Sequence, residues 1–133
     1  STMYTDITTY ELACKDQGKN PTAFPDYSQC ELSPGEEKFN LATFKLARIL
    51  VSVNKEDGKE WEPKPDERRF ILWVYLIPDK TKPSGFGLSY YGDVIWHTYS
   101  FVGVRLVFRD GKRAMFVFQN FTSLLEDIFI YQK

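Results

Sequence analysis

Histidine is nearly absent from this chain: His97 is the only one in 133 residues. Any chemistry that needs an imidazole must run through that one position. Cysteine is almost as scarce, with Cys14 and Cys30 alone. Two thiols are too few for a disulfide scaffold, and without a matching histidine pair they cannot complete a four-ligand structural zinc site. Neither sign of charge is in excess, since seventeen Lys and Arg face eighteen Asp and Glu. Such a balance does not imply a generic nucleic-acid or membrane-surface binder. No apolar run reaches about 18 residues, so no segment reads as a membrane span. Aromatic rings, in contrast, are plentiful: eleven Phe, eight Tyr and three Trp make up 17% of the residues, within a hydrophobic content of 43%. That composition excludes disorder and gives a single domain, residues 1–133, enough apolar surface for a core.

The charge is uneven along the chain, with eight basic and twelve acidic side chains in residues 1–66 and nine and six in residues 67–133. Cys14 and Cys30 lie in a polar, Pro-containing region. They read as a possible disulfide pinning a loop, contributing about 3 kcal/mol in an oxidising compartment, or as two reduced thiols. No basic segment followed by an apolar run reads as a signal peptide. A start at Met3 points to the cytoplasm; a leader already removed points to a secreted or periplasmic protein and favours the disulfide. The first expectation is preferred.

Residues 4–13, rich in Thr, Tyr and Ile, read as a strand. Residues 15–35 hold Gly18, Pro21, Pro25 and Pro34 and read as a long connection. Ser33-Pro34-Gly35-Glu36 has the form of a helix start, with Ser as cap, Pro at the first helical position and Glu closing a capping box. Ala42, Leu46, Ile49, Leu50 and Val53 continue at helical spacing, while Ile49, Val51 and Val53 alternate as in a strand. The expectation is a helix or irregular turn over 34–46 and a strand over 47–54. Residues 55–69 form a charged loop around Trp61. Residues 70–77 are eight consecutive apolar residues, the pattern of a central strand covered on both faces. Residues 80–93 read as a second long loop. Beyond it, 94–101 and 102–108 alternate, and Asp110-Gly111 has the form of a two-residue hairpin turn returning through 112–119. Ser123 to Glu126 opens a short helix.

Together these readings give a mainly β fold, an antiparallel β-sandwich or open barrel with one or two short helices. The alternative is α+β, a curved antiparallel sheet packed on one helix, and it wins if 34–53 is wholly helical.

Chemistry is sparsely marked. His97 sits mid-strand between Ile95 and Tyr99, where a core or rim histidine is the ordinary reading. Glu56, Asp57, Glu60, Glu62, Asp66 and Glu67 share one loop with Lys and Arg and read as a solvated loop rather than a catalytic carboxylate pair. No calcium-loop or paired-histidine motif is present, so no metal and no cofactor are expected. Trp61, Phe86, Tyr90 and Tyr91 fall in the two long loops, where rings serve to anchor a protein partner or to stack on a sugar. Arg105, Arg109 and Lys112, interleaved with Phe116 and Phe118, form a possible basic patch on the hairpin.

The function these residues suggest is non-catalytic binding: an inhibitor, immunity-type or accessory protein whose partner is another protein, met through Trp61, Phe86, Tyr90 and Tyr91. A small-ligand or carbohydrate-binding domain using the same rings is the second reading, and a small enzyme relying on His97 is the third. Nucleic acid is not favoured as a partner.

Overall fold

The computed structural model describes residues 3–64, 66–96 and 106–133, with the backbone alone described for 91–96. His97 and Arg105 lie outside the described residues, as does the 97–105 part of the expected strands 94–101 and 102–108. Within them the chain is α+β, with four helices and one two-stranded antiparallel sheet. The expected β-sandwich or barrel is therefore corrected, and so is an all-β description. Residues 34–53 are helical throughout, the condition that selects α+β, although the helices number four rather than one.

The N-terminal segment is not a strand. A short 3₁₀ turn, Tyr4–Asp6, leads to helix α1, Tyr10–Asp16. Thr9 caps α1 by accepting from the Leu12 N–H, and the helix buries Tyr10, Ala13 and Cys14, the i, i+3, i+4 stripe of one helical face. Burial first, and then the Cys14 thiol beside it, raise the Tyr10 hydroxyl above the usual phenol range, against the pull of Arg48.

Helix α2, Pro34–Val53, begins at the anticipated capping box: Ser33 Oγ accepts from the Glu36 N–H, and Glu36 accepts from the Ser33 N–H. That second bond holds the Glu36 carboxyl below the usual range. At Gly35 a Cβ would stand 1.9 Å from the carbonyl oxygen of Gln132, so only glycine lets the end of the chain lie there and take the Gly35 N–H at 2.8 Å. The expected strand over 47–54 is instead the second half of this helix. Leu46, Ile49, Leu50 and Val53 are buried at i, i+3, i+4, i+7, and their shared core outweighs the β-preference of Ile49, Val51 and Val53.

Polar bonds brace α1 to α2. Gln17 Nε2 donates to the Arg48 carbonyl at 2.7 Å and to Ser52 Oγ at 2.8 Å, and Ser52 donates to Asp16 at 2.6 Å. Strands β1, Arg69–Pro78, and β2, Phe86–Trp96, pair from Arg69↔Trp96 to Pro78↔Phe86, with a bulge opposite Trp73/Val74. Phe70, Leu72 and Leu88 rest on the core, but the far half of β1 does not: Tyr75, Leu76 and Ile77 are 51%, 48% and 44% exposed. The expectation of a strand covered on both faces is thus overturned.

Helix α3, Gly111–Asn120, replaces the expected hairpin return. Asp110 is its N-cap, accepting from the Arg113 N–H at 2.8 Å. Helix α4, Thr122–Phe129, comes next and includes the short helix anticipated at 123–126. Ala114, Val117, Phe121 and Leu125 close the core against α1 and α2.

Candidate functional site

The loop between α2 and β1 is built by a turn and a set of charged clasps. Asp57 and Gly58 both take positive φ, 52° and 73°, and Glu56 and Lys59 exchange backbone bonds of 3.1 and 3.0 Å across them. This is the two-residue turn for which Asp-Gly is suited. Glu56 then forms an ion pair with Arg109. Asn54, 5% exposed, ties that arginine's segment to the end of α2: its Nδ2 donates to the Val107 carbonyl and its Oδ1 accepts from the Arg109 N–H, each at 2.9 Å. Arg113 Nε donates to the Val53 carbonyl at 2.8 Å, which places a cation at the negative end of α2 while its guanidinium also pairs with Asp110.

Trp61 is half-buried in this frame. Its Nε1–H donates to Glu67 at 2.8 Å, and the Arg109 guanidinium stands 5.9 Å from its ring centre. Beside it opens a groove of about 370 Å³, walled on one side by Ala47, Leu50, Val51 and Asn54 of α2 and on the other by Glu60, Trp61, Glu62 and Pro63. The α2 residues are spaced i, i+3, i+4, i+7 and so form one stripe along the helix. Glu56 and Glu67 are used up in fixing the loop. Glu60 and Glu62 are exposed and have no hydrogen bond or ion pair among the described residues.

The remaining ring residues are elsewhere. Phe86, 42% exposed, pairs with Pro78 at the far end of β1, nine residues and roughly 30 Å along the strand from Arg69. Tyr90 is in β2, half-buried with its ring 5.3 Å from Phe118. Tyr91 also belongs to β2, so neither of these tyrosines, nor Phe86, lies in a loop. Trp61 and Phe86 therefore do not share one surface.

Of the basic patch, Arg109 is committed to Glu56 and Asn54, and Lys112 is exposed on the first turn of α3. With the hairpin gone, so is the platform that would have aligned these residues with Phe116 and Phe118. Cys14 is a buried free thiol in α1 and Cys30 an exposed free thiol in the 17–33 connection.

Sequence reading missed two features. One is the α2 wall of the groove, hidden by the strand expectation for 47–54 even though the helical spacing is plain in the same residues. The other is the exposed apolar end of the sheet, where an unbroken apolar run implies a burial that does not occur. No metal-holding cluster of His, Cys, Asp or Glu occurs among the described residues, and no helix among them is long and apolar enough to cross a membrane. No protein-family model, no curated protein and no solved structure matches the chain.

Proposed function

We propose that the chain is a non-catalytic binding protein whose partner is another protein, an accessory, inhibitor or immunity-type component that docks through the far end of the β1–β2 hairpin. The observation that supports it is the exposure there of Leu76 (48%) and Phe86 (42%) on one face of the hairpin and of Ile77 (44%) on the other, apolar side chains gathered at one end of a balanced-charge molecule. Apolar surface gathered in this way is characteristic of interaction sites. A reducing, cytoplasmic setting suits the reading, because both cysteines are free thiols and Cys14 is packed into the core.

Replacing Phe86 with a photo-crosslinking phenylalanine in the source cell tests this. A discrete cross-linked protein is expected, lost when Leu76→Asp is added on the same face of the hairpin and absent when the probe sits at Asp26 in the 17–33 connection. Leu76→Asp, at an exposed site, should leave stability within about 0.5 kcal/mol. Cross-links that survive Leu76→Asp, or none at all, would remove the assignment.

A second reading, a small-ligand or carbohydrate site, draws on the groove beside Trp61, whose volume is at the lower end of the roughly 300–1,000 Å³ usual for ligand pockets. Quenching of Trp61 fluorescence by neutral sugars would favour it; silence toward them would discard it.

A further inference from the structure

We propose that the groove between α2 and residues 60–63 docks an arginine or lysine side chain presented by a segment of a partner protein. The inference rests on the reading of the chain as a protein-binding module, but on a different surface from the hairpin end.

Three features of the groove select a long cationic side chain. Its helix wall supplies apolar contact from the half-buried Ala47 and Val51, which suits the methylene stem of Lys or Arg. Its opposite wall is lined by Glu60, Trp61 and Glu62, two exposed carboxylates next to an aromatic ring, a combination of opposite charge and π-face that favours a cation over a neutral group. The protein's own nearby cations are spent elsewhere. Arg109 pairs with Glu56, Arg113 with Asp110, and Lys55 with Asp16 at 3.0 Å. Lys59 and Lys64 flank the groove in sequence, both exposed, and neither forms an ion pair with Glu60 or Glu62 among the described residues.

The shape argues for a peptide rather than a small ion. The stripe from Ala47 to Asn54 runs seven residues along α2, about 10 Å of helix. That matches about three residues of extended chain. A peptide laid along it would bring its side chain to the wall that carries Glu60 and Glu62.

The test is an amide NMR titration of the ¹⁵N-labelled full chain with the blocked pentapeptide Gly-Gly-Arg-Gly-Gly and with the same peptide carrying citrulline, the uncharged isostere, at its centre. Saturable shifts are expected at Leu50, Val51, Asn54 and the Trp61 indole, with the citrulline peptide at least tenfold weaker. The Glu60→Gln/Glu62→Gln double variant should lose at least tenfold toward the arginine peptide while its unfolding midpoint is unchanged. Equal binding of the citrulline peptide, full binding by the double variant, or absence of shifts in the groove would each overturn the proposal. Blocked arginine amide binding as tightly as the pentapeptide would overturn the protein source. Cross-linking from Phe86 in the double variant separates the two readings. Intact cross-links with the groove silent sink only the groove, and cross-links that survive Leu76→Asp with the groove active sink only the hairpin.

Discussion

Asp127 shows how one side chain sets a pH response in this protein. It is partly buried on α4, and that burial is the main cause raising its carboxyl above the usual range. Lys38 and Lys45 pull the other way, and Glu126 adds to the rise. The folded protein thus holds this proton more tightly than the unfolded chain. Stability therefore falls as pH climbs from the ordinary aspartate value through the raised folded one, and below both the penalty is absent. Asp127→Asn should therefore stabilise the protein at neutral pH and leave it unchanged in acid. Urea midpoints measured at both conditions check this, and an equal shift at both would show that the cause is packing instead. Glu36, held down by Ser33 in the capping box, has the opposite sign: what it contributes is present above the usual glutamate range and is lost in acid.

At the scale of elements, the two Asp-Gly pairs are instructive. Asp57-Gly58 makes the tight turn that the dipeptide predicts, while Asp110-Gly111 starts a helix. Asp serves both roles, because its carboxylate satisfies free N–H groups in a turn or at a helix start. The residues C-terminal to each pair decide between them. After Asp57-Gly58 comes a charged, proline-bearing stretch with no helical stripe. After Asp110-Gly111, Ala114, Val117 and Phe121 recur at helical spacing, and Arg113 reaches the carbonyl end of α2. Asp110→Ala should accordingly cost about 1–2 kcal/mol, and Asp110→Ser should recover most of it, because Ser caps nearly as well. A hairpin turn would lose stability with both. Chemical denaturation of the pair of variants decides. The helix start at Ser33, the short helix at 123–126 and the strand around 70–77 were legible for the same local reason: caps and unbroken apolar runs carry their own signal. The strand expectation for 4–13 failed because burial of the Tyr10, Ala13, Cys14 stripe outweighs the β-preference of the Thr, Tyr and Ile residues around it.

Over the whole molecule, protection is unequal. The core joins α1, the second half of α2, α3 and α4, whereas the sheet touches it through the partly buried Phe70, Leu72 and Leu88. Beyond Leu88, which pairs with Leu76, the end of the hairpin exposes Ile77 and Phe86 and opens at little cost in apolar burial. Amides of Leu46 to Val53 should exchange with solvent deuterium only on global unfolding, and those from Leu76 to Phe86 on the order of a hundredfold faster or more. Uniform exchange across both would mean that the hairpin is bound into the same cooperative unit, and would weaken its reading as a docking arm. Of the candidate site, Trp61 and its acidic loop were visible in the sequence. Phe86 does not join Trp61, because about 30 Å of strand separates it from the Arg69 end of β1, while Tyr90 turns to Phe118.

The amino-acid sequence by itself determined what depends on neighbours a few residues away: the capping box of α2, most of the connection expected over 15–35, and the apolar run of β1. Only the tertiary structure decided that Ile49, Val51 and Val53 extend a helix, that Asp110 caps rather than turns, and that half of an apolar strand stays in water. Those outcomes depend on which surfaces meet. Burying Leu46, Ile49, Leu50 and Val53 beside Ala13 and Val117 is worth more than a residue's intrinsic preference of a fraction of a kcal/mol. The long-range contacts Asn54–Val107 and Arg113–Val53, each spanning more than fifty residues, leave no local trace from which they could be read.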